Sequence, residues 1–135
     1  MMNYQKIRVR FCQEASDGLG RLKGKTGITP NILARFGFSM SIEDPTIPDP
    51  GDYPPDSNRE IDWKVLVGDY GNLFIAMTKE RCAQDQIELI EDNLVAYFKA
   101  HMNRGALLLA KRVRSLTDLL HLLPDEFREL NKDHA

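Results

Sequence analysis

The side chains whose spacing most suggests chemistry are cations of the first third of the chain, and that chemistry is phosphate binding. Residues 5–11, Gln-Lys-Ile-Arg-Val-Arg-Phe, alternate: Ile7, Val9 and Phe11 fall on one face, Lys6, Arg8 and Arg10 on the other. A period of two is that of a half-buried strand, here with a cationic outer face. Such a face suits a nucleic-acid groove, or it keeps an edge strand from pairing with other chains. Arg21, Lys23 and Lys25 form a second basic cluster. A cluster of this kind binds phosphates without regard to sequence and with strong salt dependence, or it complements the C-terminal dipole of its own helix. Thr29 and the free N–H groups at Asn31 and Ile32, at a helix start, would form an anion site, and Arg35 lies one turn beyond Asn31 on the same polar face.

The remaining reactive residues are poorly arranged for catalysis. His101, in His-Met-Asn-Arg-Gly (residues 101–105), could serve a metal-dependent nuclease, but no second histidine or carboxylate stands at ligand spacing, and a packed core histidine is expected. Asp49 and Asp52 could approach Mg²⁺, yet they sit among prolines in a stretch ill suited to octahedral coordination and read as solvated charge or a partner surface. Cys12 and Cys82 are too few and too far apart for a disulfide scaffold or a zinc knuckle, so buried thiols are expected. No Walker-type glycine loop is present. No catalytic residue, metal ligand or cofactor is assigned.

These residues must be positioned by few elements. Ser16 is an expected N-cap for a helix running to about Lys25, weakened by Gly18, Gly20 and Gly24. Gly27-Ile28-Thr29-Pro30 combines a helix-closing glycine, an N-cap and a first-turn proline, so a second helix starts near Pro30 with an apolar stripe of Ile32, Leu33, Phe36 and Met40. Five prolines and several aspartates make residues 43–60 an irregular acidic loop. Trp63 to Val67 is expected as a short strand closed by the Gly68–Gly71 turn. Helices follow at about 72–85 and 92–113. The latter is the most periodic, with Val95, Phe98, Met102, Ala106, Leu109 and Val113 on one face. Ser115 caps a last helix that Pro124 interrupts.

The order strand, helix, turn, helix is that of a ribbon-helix-helix module. The fold class expected is mainly α: a ribbon-helix-helix-like N-terminal part (residues 1–42), a proline-rich acidic loop (43–62) and a C-terminal helical part (63–135), in one domain of 135 residues. Net charge is −2, but residues 1–41 carry seven basic against two acidic residues, +5, and the remainder −7. With no apolar run of membrane-spanning length and no signal-like start, a cytoplasmic protein without membrane attachment is expected.

Several segments taken together resemble the DndE family of DNA sulfur-modification proteins: Leu22 to Leu33 (Leu-Lys-Gly-Lys-Thr-Gly-Ile-Thr-Pro-Asn-Ile-Leu), Ile47-Pro48-Asp49-Pro50, Leu73-Phe74-Ile75-Ala76, Lys79-Glu80-Arg81 and His101-Met102-Asn103-Arg104-Gly105. The resemblance runs from about Ile7 to Arg112. It implies a small helical protein with a ribbon-helix-helix-like part, assembled as a homotetramer and acting in DNA phosphorothioation, where sulfur replaces a non-bridging backbone oxygen. It further implies that the sulfur chemistry belongs to partners: a cysteine desulfurase, an iron–sulfur enzyme and an ATPase component. The DndE-like protein itself is then a non-catalytic, double-stranded-DNA-binding component favouring nicked duplex. Lys23 and Lys25 match the family's Lys-x-Lys/Arg-Thr-Gly stretch and are the first candidates for DNA contact. Two rivals stand beside this reading: a metal-dependent nicking enzyme using His101, and an adaptor whose acidic loop docks the sulfur-inserting enzyme.

Overall fold

The computed structural model describes residues 3–122. After a 3-10 turn at Tyr4–Lys6 come strand β1 (Arg8–Arg10), helices α1 (Gln13–Thr26) and α2 (Pro30–Glu43), and a loop with a 3-10 turn at Pro50–Asp52. Strand β2 (Glu60–Asp62), helix α3 (Trp63–Val67), a 3-10 turn at Gly68–Tyr70, and helices α4 (Gly71–Gln84), α5 (Glu91–Arg112) and α6 (Leu116–His121) complete the order. The protein is mainly α, with a short strand and two helices at its N-terminal end, as the sequence leads one to expect.

The inward alternation of the first strand holds, with Val9 and Phe11 wholly buried and Ile7 nearly so. The strand is shorter than its alternation suggests, because Asn3 accepts from the Gln5 N–H and caps a 3-10 turn that takes Lys6 out of it. Its partner lies in the same chain: β1 pairs antiparallel with β2, Arg8 opposite Asp62 and Arg10 opposite Glu60. Pairing continues past the strand, with Phe11 N–H donating to Arg59 O and Ser57 N–H to Phe11 O. The expected strand at Trp63–Val67 is instead helix α3. The Asp62 carboxylate accepts from the Val65 N–H and caps it, which turns Trp63 inward between the rings of Tyr4 and Phe98.

Helix α1 starts one turn earlier than Ser16. Cys12 is its N-cap, and its N–H donates to the Asn103 side chain from across the core; Ser16 lies within the helix and accepts from Arg59 Nε. Gly27 closes the helix in the left-handed region, at φ +76°. Thr29 and Pro30 open α2 as expected, although the Thr29 hydroxyl makes no capping bond. The buried side of α2 is Leu33, Ala34, Gly37, Phe38 and Ser41, which shares only Leu33 with the expected stripe; Ile32 and Met40 are half-buried and Phe36 is 36% exposed.

A glycine pair sets that rotation. A Cβ built on Gly37 would lie 2.5 Å from the backbone of Gly105, and one on Gly105 would strike Gly37, so α2 and α5 touch backbone to backbone there. Helix α5 is the centre of the fold: Phe98, Met102, Ala106, Leu109 and Val113 are all fully buried in one cluster that takes in β1, α1, α2, α3 and α4. Ser115 caps α6, accepting from the Asp118 N–H; Pro124 lies outside the described residues.

Candidate nucleic-acid interface

The structure distributes the nine candidate DNA-contact residues over three places. Lys6, Arg8 and Arg10, from the N-terminal turn and β1, face grooves beside α5 that are also lined by Lys99 and by Glu60, Glu91 and Asp92. Arg10 pairs with Glu60 at 3.2 Å, both side chains over a third exposed, and gives Nη1 to Ser57 O. A surface pair of this kind contributes little to stability, and the strand's charge is partly balanced in place.

The start of α2 turns toward α3. Asn31 donates to Val65 O, and Arg35 donates Nε to Leu66 O at 2.7 Å and Nη2 to Val65 O. These donors satisfy the last carbonyls of α3, a helix too short to satisfy them itself. Thr29 stands exposed beside them.

Arg21, Lys23 and Lys25 are exposed on α1, but helical geometry separates them. Arg21 and Lys25 are four apart and share a face, whereas Lys23 is two residues from each and about 200° round the helix. The Arg21–Lys25 face meets the C-terminal end of α5 across a groove of about 740 Å³, lined also by Glu14, Asp17, Lys111 and Arg114. Arg21 bridges it, giving Nη2 to Ala110 O at 2.9 Å. Sequence reasoning missed Lys111 and Arg114. The signal was there, in the run Lys111-Arg112-Val113-Arg114, but nothing local says that it lies against α1.

The segment 101–105 works inside the fold. His101 is fully buried, its Nδ1 2.8 Å from Ser41 Oγ, and that oxygen also accepts from Arg104 Nε. Burial, reinforced by the nearby Arg104 and Arg81 charges, lowers the pKa of His101 to about 3. Its ring presents no nitrogen to a phosphodiester outside. Arg104 also donates to the carbonyls of Ser41 and Thr46, and Arg81 to those of Ser41, Ile42, Asp44 and Thr46, so two nearly buried guanidinia hold the chain as it leaves α2. Asp85 pairs with Arg81 at 2.9 Å. Asp44 lies 3.9 Å from Arg104, and hydrogen bonds from Thr46 hold its carboxyl below the ordinary range. Among the described residues no three His, Cys, Asp or Glu side chains are grouped as a metal site. Both cysteines are buried, as expected, and burial raises both thiol pKa values. No helix among the described residues is long and apolar enough to cross a membrane.

The chain is similar to the crystal structure of DndE from Escherichia coli B7A, a protein involved in DNA phosphorothioation modification, with a TM-score of 0.62 and 28% identity over 78% of this chain and 97% of that one. It is similar also to a glycine-to-lysine double variant of DndE involved in DNA phosphorothioation, with a TM-score of 0.61 and 25% identity over 81% and 99% of the two chains. No curated protein matches it significantly. The family profile of the DNA sulphur modification protein DndE matches residues 8–116, from the first strand to the start of α6. The chain belongs to the DndE family.

Proposed function

We propose that this protein is the DNA-binding, non-catalytic component of a DNA phosphorothioate modification system. It acts as an oligomer on duplex DNA, favours nicked duplex, and works beside the desulfurase, iron–sulfur and ATPase partners that carry the sulfur chemistry. The observation that carries this reading is the exposed, unpaired cations of α1 in a chain of this family: among the described residues Arg21, Lys23 and Lys25 are in no ion pair. Cations held free of carboxylates are available to displace counterions from phosphates. A nick lowers the cost of bending a duplex, so repeated patches on an oligomer would favour nicked DNA without reading bases. Exposed Phe36, Tyr70 and Leu73 supply apolar surface for such an oligomer to cover.

The test is a salt titration of binding to intact and nicked duplexes of one sequence, with light scattering for the oligomer. Nicked DNA should bind more tightly, and Lys23→Ala/Lys25→Ala should weaken binding and flatten the salt slope by about 1.8, two phosphates' worth. An unchanged slope would make these lysines a solvated face.

A further inference from the structure

We infer that the groove between α1 and α5 is a two-walled phosphate site, in which Lys111 and Arg114 contact the DNA backbone together with Arg21 and Lys25. This rests on the DNA-binding reading above and adds to it a second wall, some 90 residues away along the chain.

Three features carry it. The first is charge without partners. Among the described residues the side chains of Lys25, Lys111 and Arg114 enter no ion pair or hydrogen bond, although Glu14 and Asp17 line the same groove. Asp17 is engaged instead by the Gln13 amide, and the Arg114 backbone N–H donates to Asp118. The second is the closeness of the walls. A Cβ on Gly18 would lie 2.9 Å from the Ala110 Cβ, so α1 and α5 approach here more nearly than alanine would allow. The third is Arg21, fixed over the floor by Ala110 O, a bond that among the described residues uses one of its five N–H donors. An open groove of about 740 Å³, with cations on both sides and a small-residue floor, fits an extended polyanionic strand. It lacks the apolar enclosure of a small-molecule pocket.

The competing role for Lys111 and Arg114 is to complement the C-terminal dipole of α5, which needs no ligand. Fluorescence anisotropy on a labelled nicked duplex separates the two. Four proteins are compared across a salt series: wild type, Lys23→Ala/Lys25→Ala, Lys111→Ala/Arg114→Ala, and Lys64→Ala/Lys79→Ala as a control with equal charge loss from exposed positions on α3 and α4. The groove variant should lose about 1.8 from the salt slope, equivalent to roughly 30-fold in affinity at 0.15 M relative to 1 M salt, and the control should lose far less. Glu14→Gln, which removes a negative charge from the groove, should tighten binding and guards against a variant that merely misfolds. Weaker binding by Lys23→Ala/Lys25→Ala with no change in the groove variant or in Glu14→Gln overturns the second wall and leaves the DNA-binding reading standing. If wild type shows no salt-dependent DNA binding, the reading itself falls, and the groove proposal with it.

Discussion

At the scale of single residues, one of the segments that carry the family resemblance is structural. In His-Met-Asn-Arg-Gly each residue has a task inside the fold: His101 meets Ser41, Met102 fills the core, Asn103 holds the Cys12 N–H, Arg104 ties down Ser41 and Thr46, and Gly105 admits α2. Removing the guanidinium in Arg104→Leu takes a charged donor from Ser41 Oγ and from the Ser41 and Thr46 carbonyls, whose remaining charged donor is Arg81, and removes the cation 3.9 Å from Asp44. It should cost about 3 kcal/mol in denaturant unfolding, the scale for breaking a buried ionic group. His101 makes a pH prediction. Its folded pKa, near 3, lies well below the ordinary 6.5, so between these values the unfolded chain binds the proton and the folded one does not. Stability is therefore lost as pH falls below about 6.5, by up to about 1.4 kcal/mol per unit. Melts at pH 7 and pH 5 should show this for wild type, and the part due to this ring should vanish in His101→Gln. That His101 packs inside was expected from the burial preference of histidine within a helix. Its tie to Ser41 was not, because 60 residues separate them.

At the scale of elements, helix identity was more legible than helix orientation. The periodicity of α5 and the Gly27–Pro30 signal were read correctly because both are local: a stripe every three or four residues, and a left-handed glycine ahead of a first-turn proline. Phe98 follows from that periodicity. Phe98→Ala should cost about 3–5 kcal/mol by thermal or denaturant melt, and a wild-type-like melt would mean the ring is not the core piece its burial indicates. The face of α2 was misread because apolar residues lie on more than one side of it, and the choice among them is made by Gly37 against Gly105. Gly37→Ala inserts a methyl where two backbones touch, which forces the helices apart. A loss of at least about 2–3 kcal/mol is expected, with Gly24→Ala, whose Cβ meets nothing within 4 Å, as a neutral or stabilising comparison. Trp63–Val67 was misread for a related reason: four apolar residues and a lysine suit either state, and the Asp62 cap with Trp63 burial decides for helix.

At the scale of the whole molecule, the acidic segment between α2 and β2 is built into the fold at both ends. Arg81 and Arg104 grip residues 41–46, while Asp56 accepts from the Gln13 N–H and the buried Ser57 hydroxyl donates to Phe11 O. Deleting residues 43–60 should therefore unfold the protein, seen as loss of a cooperative melt, and an adaptor role is better tested with a point change at exposed Ile47. The sequence by itself determined the mainly helical class, the inward face of the first strand, the closing of α1 and opening of α2, and the concentration of positive charge in the first third of the chain. Each rests on neighbours within a few residues, where dihedral preferences and side-chain periodicity act. Only the tertiary structure decided which strand pairs with β1, which side of α2 is buried, that Asn31 and Arg35 serve α3, and that Lys111 and Arg114 stand opposite Arg21 and Lys25. The reason is physical: these are contacts between segments some 30 to 90 residues apart, selected by close packing of the whole core, and no local pattern encodes them.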